Sequence, residues 1–160
     1  MSRLELRWYP QIWVRPTDGS IGNFLDFVVD GASLHGLPNC ADRVTILGGW
    51  FRNAEWEDNY LRTLLLERPP YLETGRHELY VCPFCGDIGC GSITAAVQET
   101  PQSVIWSDFR YEANAWFNDE SEIFHRSRLQ GVGPFEFEKH LYREALLAWP
   151  LMPRRKGLLN

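Results

Sequence analysis

No apolar run in this chain extends beyond a few residues, Leu64 to Leu66 being typical, whereas a membrane-spanning helix needs about 20. Met1 to Arg7 alternates leucine with charge and offers no signal-peptide core. These absences argue against a transmembrane helix and predict a cytoplasmic protein. The four cysteines are then expected to be free thiols, metal ligands or redox groups, not structural disulfides. Internal repeats and low-complexity tracts are absent too. Positive charge is scarce: Arg154, Arg155 and Lys156 form the only basic run, and the net charge is −5. A nucleic-acid or anionic-membrane partner is disfavoured, because both reward clustered Lys and Arg. Catalytic signatures are missing as well. His35, His77, His125 and His140 are scattered, none beside a Gly-x-Ser-x-Gly elbow, and His125 near Glu122 reads as a solvated pair. Neither a phosphate loop nor a dinucleotide fingerprint occurs, since Gly86, Gly89 and Gly91 are not followed by a helix pattern.

What remains is an ordinary globular composition, 44% hydrophobic and 23% charged over 160 residues, the size of one domain. The expected organisation is a single domain over 1–153 with a flexible tail over 154–160. Seven Trp are the unusual figure: most are expected in the core and its rim, but Trp is also enriched where proteins meet.

Leu4, Leu6 and Trp8 alternate with charged residues, predicting a strand that continues through Ile12 to Val14. Phe24 to Val29 and Ala32 to Leu34 flank Asp30-Gly31, a type I′ hairpin signal. Val44 to Leu47 is a further strand candidate. Trp56, Tyr60, Leu61, Leu64 and Leu65 follow helical spacing from Glu55 to Glu67, ahead of Pro69 and Pro70. Glu78 to Val81, Ser92 to Val97 and Val104 to Tyr111 read as an antiparallel meander. Asn114 to Gln130 reads as a loop or irregular helix, and Phe137 to Trp149 as the second main helix. The expected class is α+β: an antiparallel β-sheet of about six strands with two main helices on one side or end.

Three of the four cysteines fall within nine residues, in Cys82-Pro-Phe-Cys85-Gly-Asp-Ile-Gly-Cys90-Gly. Two cysteines two residues apart, with Pro inside and Gly after, resemble a zinc-ribbon knuckle, where a tight turn faces thiolates and backbone amides toward one metal ion. Cys82, Cys85 and Cys90 are therefore candidate zinc ligands. Cys40, His35, His77 or His125 could complete the set, though none stands at a second-knuckle spacing. The expectation is nevertheless no cofactor, with small, partly buried thiols packed under a Gly-rich turn. Zinc is the alternative, and a Cys82–Cys85 dithiol oxidoreductase is the third reading, weakened because glycines follow the pair where a helix N-terminus would normally lower a thiol pKa.

The segment Tyr80 to Gly91, with Val104, Trp106, Asp108 and Phe109 and then Gly133, Pro134, Phe135, Phe137, Tyr142 and Leu146, resembles a family of small bacterial proteins sharing a CPxCGDxGCG hairpin. The resemblance spans Leu79 to Leu147. The family has no established activity, although some members carry an oxidoreductase label. Small acidic proteins of this kind are often encoded beside secreted toxins, so the resemblance is compatible with a toxin immunity protein.

Two acidic stretches enclose aromatics: Glu55, Glu57 and Asp58 around Trp56, and Glu112, Asp119, Glu120 and Glu122 around Trp116 and Phe117. The expected partner surface is Trp116, Phe117, Asp119, Glu120 and Glu122, with Trp56 and Glu57 as a second region. Anchors rimmed by charge suit a protein that occludes the basic active site of a toxin. The expected function is thus immunity-type binding of a basic toxin domain, without enzymatic activity. A zinc-stabilised interaction module and the thiol oxidoreductase are the alternatives.

Overall fold

A computed structural model of the chain describes residues 1–38, 40–113 and 126–149. Among these, ten strands and two α-helices form an α+β fold: β1 (Leu4–Trp8), β2 (Trp13–Val14), β3 (Ile21–Gly22), β4 (Leu25–Val29), β5 (Ala32–Ser33), α1 (Ala54–Leu64), β6 (His77–Tyr80), β7 (Ser92–Glu99), β8 (Ser103–Glu112), β9 (Arg126–Arg128), β10 (Phe135–Glu138) and α2 (Lys139–Leu147). They make three antiparallel sheets, ordered β1-β4-β5, β2-β3 and β10-β8-β7-β6, with β9 pairing one end of β8. No described helix is long and apolar enough to cross a membrane.

Several elements follow from local sequence. Leu4 and Leu6 point inward from β1 while Arg7 faces out. Between β4 and β5, Asp30 (φ 52°) and Gly31 (φ 83°) both take the left-handed region, as a type I′ turn requires. Asn53 caps α1 by accepting from the Trp56 amide, and Tyr60, Leu61 and Leu64 form its buried stripe. The β6-β7-β8 meander is present as expected.

Four expectations change. Trp13 and Val14 do not prolong β1; they pair with Gly22 and Ile21 in a separate ribbon. Residues 44–47 form a buried loop with one bridge, Val44 to Val81, because Thr45 and Leu47 exchange hydrogen bonds with the backbone of Leu25. The second helix starts at Lys139, since Phe137 and Glu138 are committed to β10 beside Val104 and Ser103; the Glu138 carboxylate then caps it. Finally, β9 lies in a stretch expected to lack strands.

The core is aromatic. Phe27 of β4 meets Tyr80 of β6 (5.9 Å) and Trp106 of β8 (5.5 Å) edge-on, joining the three- and five-stranded sheets. The Trp106 indole N–H donates to the Tyr142 hydroxyl of α2, which donates to the Leu64 carbonyl at the end of α1. The meander thereby has a packed backing, and the cysteine hairpin is the link between β6 and β7.

Candidate functional site

Val81 is bridged to Val44 as the chain leaves β6, and Cys82 opens a turn closed by the Gly86 amide on the Cys82 carbonyl (2.9 Å). Gly86 (φ 67°) reverses the chain, and a side chain there would strike the Trp56 ring. Asp87 then caps a 3-10 turn over Ile88–Cys90, accepting from the Gly89 amide (3.0 Å). Gly91 (φ 90°) feeds β7 beneath the Tyr111 hydroxyl and Arg43, where a Cβ has no room. Each glycine thus occupies a conformation that other residues rarely adopt.

This path brings the sulfurs of Cys82, Cys85 and Cys90 within 4.8 Å of one another, with Cys85 Sγ and Cys90 Sγ 3.5 Å apart. Cys82 is buried, and the other two are exposed. Burial raises the Cys82 thiol pKa, but the amides of Cys85 and Phe84 and the two neighbouring thiols outweigh it and hold the pKa below its ordinary value. Cys85 Sγ accepts from the Asp87 amide (3.4 Å). Cys90 is pushed up to about 12 by the Cys85 thiol, burial and the Cys82 charge. Three converging sulfurs, two of them facing backbone amides, can hold a metal ion.

Other sequence candidates are placed elsewhere. Cys40 is buried and its thiol is pushed up to about 12, chiefly by burial. His35 Nε2 is 2.8 Å from the Arg43 carbonyl and His77 Nε2 is 3.0 Å from the Thr63 carbonyl. None of the three joins the sulfur cluster, and among the described residues no fourth ligand completes it. His125 lies outside the described residues.

Two residues that sequence reasoning missed clamp the hairpin. Arg43 donates to the carbonyls of Cys90 and Gly91 (3.0 Å each) and lies over the Tyr111 ring. The Trp50 indole N–H donates to the Pro83 carbonyl (2.9 Å). No local motif signals either one.

The hairpin also forms one wall of a groove of about 580 Å³, with Cys82, Pro83, Phe84 and Cys90 facing Ile12, Trp13, Val14 and Trp50. Phe84, Val14 and Ile12 are 60%, 65% and 43% exposed, so the groove presents apolar side chains to solvent.

Of the expected partner surface, Trp116, Phe117, Asp119, Glu120 and Glu122 lie outside the described residues. In the second region, Trp56 packs on Phe51 at 4.7 Å and under Gly86, supporting the hairpin. Glu57 is 5% exposed, which removes it from an accessible acidic rim, because its position in α1 turns it inward while Glu55 and Asp58 stay exposed. Compared with protein-family models, curated proteins and solved structures, the chain matches none.

Proposed function

We propose that the protein is a non-enzymatic binding domain whose cysteine hairpin holds one structural zinc ion beside a groove that receives a protein partner. The supporting observation is the sulfur cluster on the groove wall. Zinc–sulfur bonds of about 2.3 Å in a tetrahedron put the sulfurs about 3.8 Å apart; here all three lie within 4.8 Å of one another and Cys85 and Cys90 are 3.5 Å apart, so a small movement reaches that spacing. Bound zinc would fix Phe84 and Pro83 in place, so that the groove meets its partner already ordered.

The partner class we favour is a basic toxin domain, with the chain acting as its immunity protein. A net charge of −5 would speed encounter with a basic surface, and exposed apolar side chains at the groove would slow release. The thiol oxidoreductase reading gains less support, because the buried Cys82 is the thiol with the lowered pKa while its exposed neighbours face each other.

Protein purified without chelator should carry about one equivalent of zinc, and removal of the metal should lower its unfolding midpoint, since structural metal binding is folding free energy. Metal-free protein with an unchanged midpoint would remove the zinc reading. For the partner, coexpression with a toxin encoded directly upstream should restore growth, and Phe84→Glu should abolish the rescue while zinc content stays the same. Failure of the parent chain to rescue would end the immunity reading.

A further inference from the structure

The three thiols differ in access. Cys82 is 8% exposed and its sulfur faces the amides of Phe84 and Cys85, whereas Cys85 and Cys90 are both exposed. The exposed pair is in contact at 3.5 Å, so a disulfide of about 2.05 Å needs the sulfurs to close by roughly 1.5 Å. The chain between them is suited to that movement. Residues 86–89 are Gly-Asp-Ile-Gly, and the Asp87 carboxylate is held to Gly89 within the same segment, so the segment's internal hydrogen bond can travel with it.

We propose that Cys85 and Cys90 are a redox pair which hydrogen peroxide oxidises to a disulfide, expelling the metal and altering the groove wall. The expulsion rests on the zinc reading above; the pairing rests on the thiol geometry alone.

In the first step, one exposed thiolate attacks peroxide: a sulfur–oxygen bond forms, the oxygen–oxygen bond breaks and hydroxide leaves. The second thiolate then attacks that sulfur, forming the disulfide and displacing a second hydroxide. Two protons from solvent convert the hydroxides to water. The thiolates lose two electrons and peroxide gains them. Cys82 is then the only thiolate ligand left in the hairpin, and one thiolate does not retain an ion held by three. A dithiol reductant reverses the reaction by exchange, and added zinc rebuilds the site. Cys40 takes no part, because it is buried in the core away from the cluster. Since Cys82, Pro83, Phe84 and Cys90 line one side of the groove, the oxidised hairpin would present a changed wall to a partner.

The test uses the full chain, reduced, loaded with zinc and freed of reductant. Zinc content measured first decides the zinc reading. Peroxide is then titrated while a chromogenic chelator follows released zinc and peptide mass mapping locates the disulfide. The expected result is one equivalent of zinc released together with a Cys85–Cys90 link, both reversed by dithiothreitol and zinc. Cys40→Ala should behave in the same way, and Cys90→Ser should form no intramolecular link at Cys85. A disulfide mapped to another pair would overturn the proposal, as would zinc retained under excess peroxide with Cys85 and Cys90 still alkylatable after denaturation. Zinc-free protein that still forms the Cys85–Cys90 link would uphold the pair and remove the metal from both readings.

Discussion

At the scale of single residues, the hairpin depends on two glycines for the same two reasons. Gly86 and Gly91 both have positive φ, and both lack room for a Cβ, against Trp56 in one case and against Tyr111 and Arg43 in the other. Gly75 (φ 78°) has the same backbone conformation with open space around it. Alanine at Gly75 should therefore cost only the left-handed strain, about 1 kcal/mol. Alanine at Gly86 or Gly91 adds a displaced ring or cation and should cost about 2–3 kcal/mol, with weaker zinc affinity. Urea unfolding and a metal-competition titration of the three variants would check this. Equal losses at all three positions would show that the packing above the hairpin is unimportant.

At the scale of elements, what could be read from sequence was local. The Asp30-Gly31 hairpin, α1 and the meander each announce themselves within about ten residues, through turn chemistry or periodicity. The sulfur cluster was legible for the same reason, because its three ligands share one turn. The start of α2 was not, since Phe137 fits both the alternation of β10 and the helical stripe that follows, and pairing with Val104 decides between them. A run of acids around Trp56 likewise cannot show that Glu57 faces inward. Arg43 and Trp50 were invisible because their hydrogen bonds to the hairpin cross 47 and 33 residues. Their effect should be local in turn. Arg43→Ala removes the two hydrogen bonds to the hairpin carbonyls, those to Asp42 and the Tyr111 hydroxyl, and a cation–ring contact, which should cost about 2 kcal/mol. Hydrogen exchange should then speed up from Cys82 to Gly91 while β1 and β4 stay protected. Uniform acceleration throughout the chain would instead make Arg43 a general stabiliser of the fold.

At the scale of the whole molecule, buried ionisable groups set how stability depends on pH. Burial, aided by the charges of Asp87 and Glu112, raises the Glu78 carboxyl from 4.5 to about 7 against the opposing bond from Ser92. Asp26, 2% exposed, is also raised by burial, although Ser33 and Tyr80 both donate to it. Both carboxyls bind protons more tightly in the fold than in the unfolded chain. Their contribution is full below the ordinary carboxylate range and is lost as pH rises, for Glu78 until about 7. His77 works in the opposite direction: burial holds it below 6.5, so its contribution is present above 6.5 and is lost as pH falls through the depressed value. Glu78→Gln keeps an acceptor for Ser92 and removes the ionisation. At pH 8 it should stabilise the protein by up to about 3 kcal/mol, which is several degrees in Tm for a domain of this size. At pH 4 the gain should vanish, because the native carboxyl is then protonated in both states for most molecules. Thermal unfolding of the parent and Glu78→Gln across pH 4 to 8 measures this directly. Curves that stay parallel over the whole range would mean that Glu78 ionises as freely in the fold as in the unfolded chain.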